Sequence, residues 1–308
     1  MTDNIEATGN QDTLETIIES GNTHYRRMRV VKRLITHVFL ILIAIYAIFP
    51  IYYVVINSLS AGISLASVSV SSLLPLPTKL SFQNYTGLFR FQHGALLNIW
   101  LPNTLFYAGS ATILGLALAL SAGLALSRFR IPGKKVILYM MLILSTFPFV
   151  IMIIPMYDMF SSLSLTNSYA GLIIPYSAGA VIFSAWLIKN YVDGIPLDFE
   201  ESAQIDGYSR TQALFRILLP MAKPVLIMAM LLSFFGPYTD YAFINIMVTN
   251  GSLWNMAMGL YAYSQVSSQT INYGQFSAFA VVMGLPIFLI FLIFQKYLVS
   301  GFSISTYK

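Results

Sequence analysis

The sequence predicts an all-α, polytopic membrane protein in which six transmembrane helices carry one helical loop at the membrane surface. Three observations predict it. The 308 residues are 57% hydrophobic and only 9% charged, whereas a soluble domain carries about a quarter charged residues. Six apolar segments reach the roughly 20 residues that a helix needs to cross a hydrocarbon core. The basic residues cluster on every second connection between those segments, which is how a chain records its orientation in a bilayer.

Residues 1–34 read as an N-terminal tail. Over 1–25 they are polar and partly acidic, without a signal peptide, and are expected to be unstructured or docked on a partner. The six-helix domain then occupies 35–300, with spans near 36–59, 98–126, 136–157, 169–192, 223–248 and 275–298, and 301–308 form a short C-terminal tail. Prolines and glycines interrupt the spans at Pro50, Pro148, Pro155, Pro175, Gly236-Pro237, Gly284 and Pro286. Membrane helices tolerate them where neighbouring groups satisfy the freed backbone.

The basic residues set the orientation. Arg26, Arg27, Arg29, Lys32 and Arg33 precede the first span, and Arg128, Arg130, Lys134 and Lys135 separate the second from the third. Lys189, Arg210, Arg216 and Lys223 surround the connection from the fourth to the fifth, and Lys296 and Lys308 close the chain. Only Lys79 and Arg90 fall on the other side. Both termini and the 196–224 loop are therefore expected in the cytoplasm of a cell-membrane protein. The net charge of +5 is this sorting, not a nucleic-acid interface. Outside lie a loop near 60–97, rich in Ser, Pro and Leu, and an uncharged loop near 249–274 holding Trp254, Tyr261, Tyr263 and Tyr273. The aromatic residues read mostly as an interfacial belt, with a protein-docking face as the alternative. Asn84-Tyr85-Thr86 and Asn250-Gly251-Ser252 are glycosylation sequons on that side.

The loop from Pro196 to Pro224 is the longest polar interruption between two spans. Asp198 is expected to cap a short helix, with Glu201 reaching back to the cap. Gly207 ends that helix, because the position after a helix favours φ > 0. Ser209, with Gln212 as its reciprocal partner, caps a second helix that runs to Pro220 and carries Leu214, Phe215, Leu218 and Leu219 on its apolar side. The pattern Glu201-Ser202-Ala203, then Gly207, then Leu219-Pro220 resembles the coupling-loop (EAA) motif of ABC importer permeases, with Ser202 where Ala is usual. The resemblance implies a cytoplasmic helix docking into a cleft of a separate ATPase subunit. An ordinary amphipathic helix lying on the membrane is the alternative reading of the same spacing.

The resemblance extends along the chain from about residue 36. Ser127-Arg128-Phe129-Arg130-Ile131-Pro132-Gly133-Lys134 resembles the cytoplasmic turn of maltose-type carbohydrate permeases. Asn84-Tyr85, Asn103-Thr104, Ile154-Pro155-Met156-Tyr157, Leu165-Thr166-Asn167-Ser168-Tyr169 and Trp186-Leu187-Ile188-Lys189 match in order and spacing. Gln295 to Gly301 is similar to the family's exit from the last span, although Ser305 stands where a second glycine is usual. The resemblance implies the second, shorter permease of a sugar importer, partnered by another permease, an ATPase dimer, an external solute-binding protein and the sugar itself. It implies that ATP and Mg are bound by the ATPase, with no cofactor or metal in this chain. Glu201 would then be cap and polar anchor of the docking helix, Ala203 a close-contact face and Gly207 the corner.

Chemistry-bearing residues are few. Asp240 lies inside a span, in Tyr238-Thr239-Asp240-Tyr241. A carboxylate there is costly, so it reads either as a structural anchor or, with Tyr238 and Tyr241, as lining of a translocation path. A proton-coupled secondary transporter or channel working through Asp240 is the competing function, but proton relays use several intramembrane ionisable groups. No Walker pattern is present: Gly133-Lys134-Lys135 lacks the upstream glycine and the Ser/Thr. There are no cysteines, and His24, His37 and His93 are scattered, so no metal cluster or nucleophile–histidine pair is visible. The chain is not expected to be an enzyme on its own.

Overall fold

A computed structural model describes residues 3–60, 80–266 and 273–303, with side chains over 31–60, 80–265 and 273–297. The chain divides into two units, Met1–Ile56 and Asn57–Lys308. The first is one helix, α1, running Asp3–Ser58 into the start of the second unit. Its stretch Val31–Ser58 is apolar on every side, as a helix in lipid must be. The expected N-terminal tail is thus helical from Asp3 and continuous with the span. Pro50 sits inside the helix, and Phe49 and Tyr53 pair their rings one turn apart, at 6.3 Å between centroids.

The second unit is built of helices joined by turns, and among its described residues the β pairing is an isolated antiparallel bridge between Ser60 and Leu80. Its helices are α2 (Gln83–Arg90), α3 (Leu101–Arg128, entered by a π-helical turn over Leu96–Trp100), α4 (Lys134–Thr146), α5 (Phe149–Ser162) and α6 (Tyr169–Asp193). Next come α7 (Asp198–Ile205), α8 (Arg210–Ala213), α9 (Leu219–Met221), α10 (Lys223–Thr239), α11 (Ala242–Met247), α12 (Met256–Val266) and α13 (Tyr273–Ser303). Among the described residues, four helices are long and apolar enough to cross a membrane alone. Two bent pairs bring the total to as many as six.

Two of the expected spans are revised. The third, expected as one run over 136–157, breaks at Phe147-Pro148, where α4 and α5 meet at 95°. Proline removes a backbone donor and drives the preceding residue out of helical geometry; Phe147 is extended, at φ −74° and ψ 124°. The fifth, expected to reach 248, stops at Thr239. Asp240 leaves the helix at φ −72° and ψ 127°, and a separate short helix follows.

Small residues set the central packing, in which α3 lies along α6 with α10 against both. Gly115, Ala119 and Gly123 recur every fourth residue and form one stripe of α3. A side-chain carbon at Gly115 would come within 3.0 Å of the Ser177 carbonyl, and one at Gly123 within 2.9 Å of the Ile188 side chain. Close backbone approach through such stripes is how membrane helices gain dispersion contact without a hydrophobic driving force.

Buried polar side chains tie the loops opposite the Arg128 end to the helices. Asn103 donates to the carbonyls of Ser252 (2.8 Å) and Trp254 (3.0 Å), the Tyr107 hydroxyl to Leu253 (2.7 Å), and Asn84 to Ser58 (3.0 Å) and Ser60 (2.9 Å). Asn167 accepts from the backbone of Thr249 (2.8 Å) and Asn250 (3.0 Å). Irregular backbone at membrane depth requires such partners. Asn84 is therefore engaged and buried, not a presented acceptor for a glycan. The expected aromatic belt is largely internal too: Tyr263 is buried, edge-on to Phe91 at 4.9 Å, and Trp254 packs into the core, leaving Tyr261 exposed. Residues 61–79 with Lys79, residues 267–272, and 304–308 with Ser305 and Lys308 lie outside the described residues, as do the side chains of His24, Arg26, Arg27 and Arg29.

Candidate functional site

The 196–224 loop forms the expected helix, corner and second helix, with one register change. The N-cap of α7 is Leu197, which has no capping side chain; its carbonyl accepts from Glu200 (2.9 Å) and Glu201 (3.0 Å). Asp198 is already the first helical residue, so the expected Asp198–Glu201 capping pair is not formed. Asp198, Glu200 and Glu201 instead place three carboxylates in the first turn, where the helix dipole favours negative charge.

The corner is a Schellman motif. Gly207 takes φ +90°, its N–H donates to Gln204 (3.1 Å), and the Tyr208 N–H donates to Ala203 (3.0 Å). This is the paired hydrogen-bond pattern that lets a left-handed residue satisfy the last carbonyls of a helix. Ser209 and Gln212 complete the expected capping box at 3.3 and 2.9 Å. The second helix runs from Arg210 to Met221, with a π-helical turn over Leu214–Leu218, and meets α10 at 73°. Leu218 is buried and Leu214 half-buried against the core, whereas Phe215 is exposed.

The residue that ties α7 to the bundle is Glu200. Arg128, at the end of α3, donates through Nε to Glu200 Oε1 at 2.5 Å and through its other nitrogen to the Ile195 carbonyl at 3.0 Å. Both side chains are almost fully buried. Arg210 donates to the Arg128 carbonyl (3.0 Å) and lies over the Phe129 ring at 4.6 Å. Ser127 donates to Asp193 (2.6 Å), which also pairs with Lys189 (2.8 Å). The turn after α3 is thereby clamped to the end of α6 and to both loop helices. Sequence reading quoted Arg128 but missed the pair. The available signal was spacing: Glu200 and Ala203, three apart, share the buried face of α7, whereas Glu201 and Ser202 do not.

The outward side of the loop mixes acids with large apolar groups. Glu201 and Ser202 are exposed, beside Leu197, Phe199 and Phe215, and Ile205 is 86% exposed. Leu219 is half-buried and Pro220 exposed where the loop turns into α10.

The residues around Asp240 form a second site. A cavity of 660 Å³ lies between α6 and α10, closed at one end by Asp240, Tyr241 and Ala242. Asp240 Oδ2 accepts from the Tyr176 hydroxyl at 2.7 Å, and its carbonyl accepts from Asn255 at 2.7 Å. Tyr241 lies on this cavity and pairs with Tyr261 at 4.4 Å. Tyr238 does not: it is fully buried and donates to the Met283 carbonyl at 2.8 Å, a core position. Among the described residues, no three His, Cys, Asp or Glu side chains come together as a metal site would require.

The comparisons with known proteins agree with this architecture. The family model described as "binding-protein-dependent transport system inner membrane component" matches residues 111–304. The maltose/maltodextrin transport system permease protein of Salmonella typhimurium is 30% identical, over 90% of this chain and 96% of that protein. The diacetylchitobiose uptake system permease protein of Streptomyces coelicolor is 29% identical, over 89% of this chain and 88% of its own. Among solved structures, a bacterial ABC transporter that imports the acidic polysaccharide alginate aligns with a TM-score of 0.70 at 22% identity, over 87% of this chain and 96% of that one. The alignment is evidence of shared fold. The matched model covers more than half of the sequence and takes in the Arg128–Glu200 pair, the 196–224 loop and the Asp240 site, so the chain belongs to the family of inner-membrane components of binding-protein-dependent transport systems.

Proposed function

We propose that this chain is a permease subunit of an ATP-driven saccharide importer, coupling ATP hydrolysis on a separate ATPase to movement of sugar through the membrane. The observation that carries the proposal is the 196–224 loop: a short helix, a Schellman corner and a capped second helix, held to the bundle by the buried Arg128–Glu200 pair. Membrane-surface helices are rich in Lys and Arg on their polar face. α7 has none, and exposes Asp198 and Glu201. An acidic surface with exposed Phe199 and Ile205 suits a protein cleft better than an anionic lipid surface.

In this reading both termini and the loop are cytoplasmic, and the partners are an ATPase dimer that holds ATP and Mg, a second permease, and an external solute-binding protein. ATP-driven closure of the ATPase dimer carries α7 with it, and the Arg128–Glu200 clamp passes the movement to α3 and α6. Oligosaccharides are the cargo class, on the names of the relatives for maltose, maltodextrin and diacetylchitobiose. A proton-coupled mechanism through Asp240 is disfavoured by membership of a binding-protein-dependent family. The test is co-purification of the ATPase with Phe199→Asp and Ile205→Asp variants of this chain. Loss of the ATPase from folded permease is the expected result; retention with full stimulated hydrolysis would place the docking surface elsewhere.

A further inference from the structure

The cavity between α6 and α10 is built, not left over. On α6, Pro175, Tyr176, Gly179, Ala180, Phe183 and Ser184 follow one another at helical spacing along a single face. Gly236 lies opposite on α10, with Ser233, Leu232 and Thr239. Gly179 and Gly236 open it: a side-chain carbon added at either position meets no atom within 4 Å. They differ in this from Gly115 and Gly123, whose missing side chains are required by a neighbouring helix.

The chemistry of the lining is specific. Its aromatic groups are Phe149, Tyr176, Phe183 and Tyr241, and its polar groups are hydroxyls plus one carboxylate. No Lys or Arg lines it. A carboxylate has room for about four donors. The Tyr176 hydroxyl and the backbone N–H groups of Ala242 and Phe243 take three on Asp240, leaving acceptor capacity toward the cavity. A few convergent polar groups among aromatic walls, in a space of about 300–1,000 Å³, is the composition of a small-molecule site. A carboxylate without a cation beside it attracts hydroxyl donors and repels a second anion.

We infer that the α6–α10 cavity is a saccharide contact in the translocation path, with Asp240 accepting from a sugar hydroxyl, and that it takes uncharged sugars and excludes uronates. This rests on the importer reading and adds to it the site on this subunit and the charge class of the cargo. It differs in that respect from the alginate importer whose fold it shares, which carries an acidic polysaccharide.

The experiment separates the two claims. The complex of this chain with its partner permease, ATPase and binding protein is reconstituted in liposomes, and uptake of labelled maltotriose is measured beside binding-protein-stimulated ATP hydrolysis. Gly179→Leu adds bulk to the cavity from a position where a side-chain carbon meets no atom of this chain within 4 Å, so uptake is expected to fall to background while assembly with the second permease, read by co-purification, is retained. Wild-type uptake by Gly179→Leu overturns the inference and leaves the importer reading intact, as does failure of Gly179→Leu to assemble with the second permease, which would make the cavity a subunit seam. A wild-type complex without stimulated hydrolysis is instead a failure of the importer reading. The charge class is read separately, by saturation-transfer NMR on the complex without binding protein or nucleotide. Maltotriose is expected to give a signal that Gly179→Leu abolishes, and trigalacturonate none until Asp240→Asn removes the charge. Equal signals from both sugars on wild type contradict the exclusion.

Discussion

Arg128 and Glu200 are the residues on which the loop's position depends. Two charges withdrawn from water are held only by each other and by the bonds around them, so removing one partner costs about 3–5 kcal/mol, whereas replacing both with apolar groups of similar size costs far less. Arg128→Ala or Glu200→Ala is therefore expected to free α7, seen as faster proteolysis within 196–210 and loss of stimulated hydrolysis. Arg128→Met with Glu200→Leu together should recover much of the protection. Equal damage in the single and double variants would mean that the pair does not hold the loop. Glu200, not part of the recognised motif, ties α7 to the bundle from the face that Ala203 shares, whereas Glu201 of the motif faces outward. Gly207 needed no revision, since its left-handed φ of +90° is a local property that the surrounding residues already signal.

At the scale of elements, local chemistry was legible and long-range geometry was not. The Ser209–Gln212 capping box and the glycine corner were readable because their partners lie within a few residues. Hydropathy runs straight through the breaks at Phe147-Pro148 and Asp240; Pro148 marks the first locally, whereas at Asp240 only tertiary partners show that the backbone leaves the helix. Tyr238 is a similar case. It shares the Asp240 motif yet points to Met283, a difference of helical phase that no composition records. The α3–α6 stripe gives an element-level prediction. Gly123→Leu overpacks against Ile188 and is expected to cost about 1–3 kcal/mol, lowering the melting temperature of the purified protein. A side-chain carbon at Gly109, on the same helix, meets nothing within 4 Å, so Gly109→Leu should leave it unchanged. Equal shifts in both variants would contradict close packing at Gly123.

For the whole molecule, orientation and partnership are the claims to test. The basic residues at the Arg128–Glu200 end predict that this end lies in the cytoplasm. The chain has no cysteine, so single introduced thiols report without background. Ser209→Cys is expected to label only after the membrane is permeabilised, and Ser252→Cys in intact cells; the reverse pattern would invert the topology. Composition and span lengths carried the fold class because lipid imposes them on any chain. The Asp240 cavity was only half legible: Asp240 and Tyr241 stood out as polar groups in a span, but the cavity they line also needs Gly179 and Gly236, brought to it from two different helices.

The most direct measurement of the coupling claim is binding-protein-stimulated ATP hydrolysis by the reconstituted complex, wild type against Gly207→Asp. A side chain at φ +90° strains the corner by about 1–3 kcal/mol and turns α7 away from its docking direction without touching α6 or α10. Stimulation by sugar-loaded binding protein in the wild type, and its loss in Gly207→Asp with the cavity residues intact, is the predicted result. Unchanged stimulation in the variant, or sugar uptake by this chain without any ATPase and abolished by Asp240→Asn, would contradict the account.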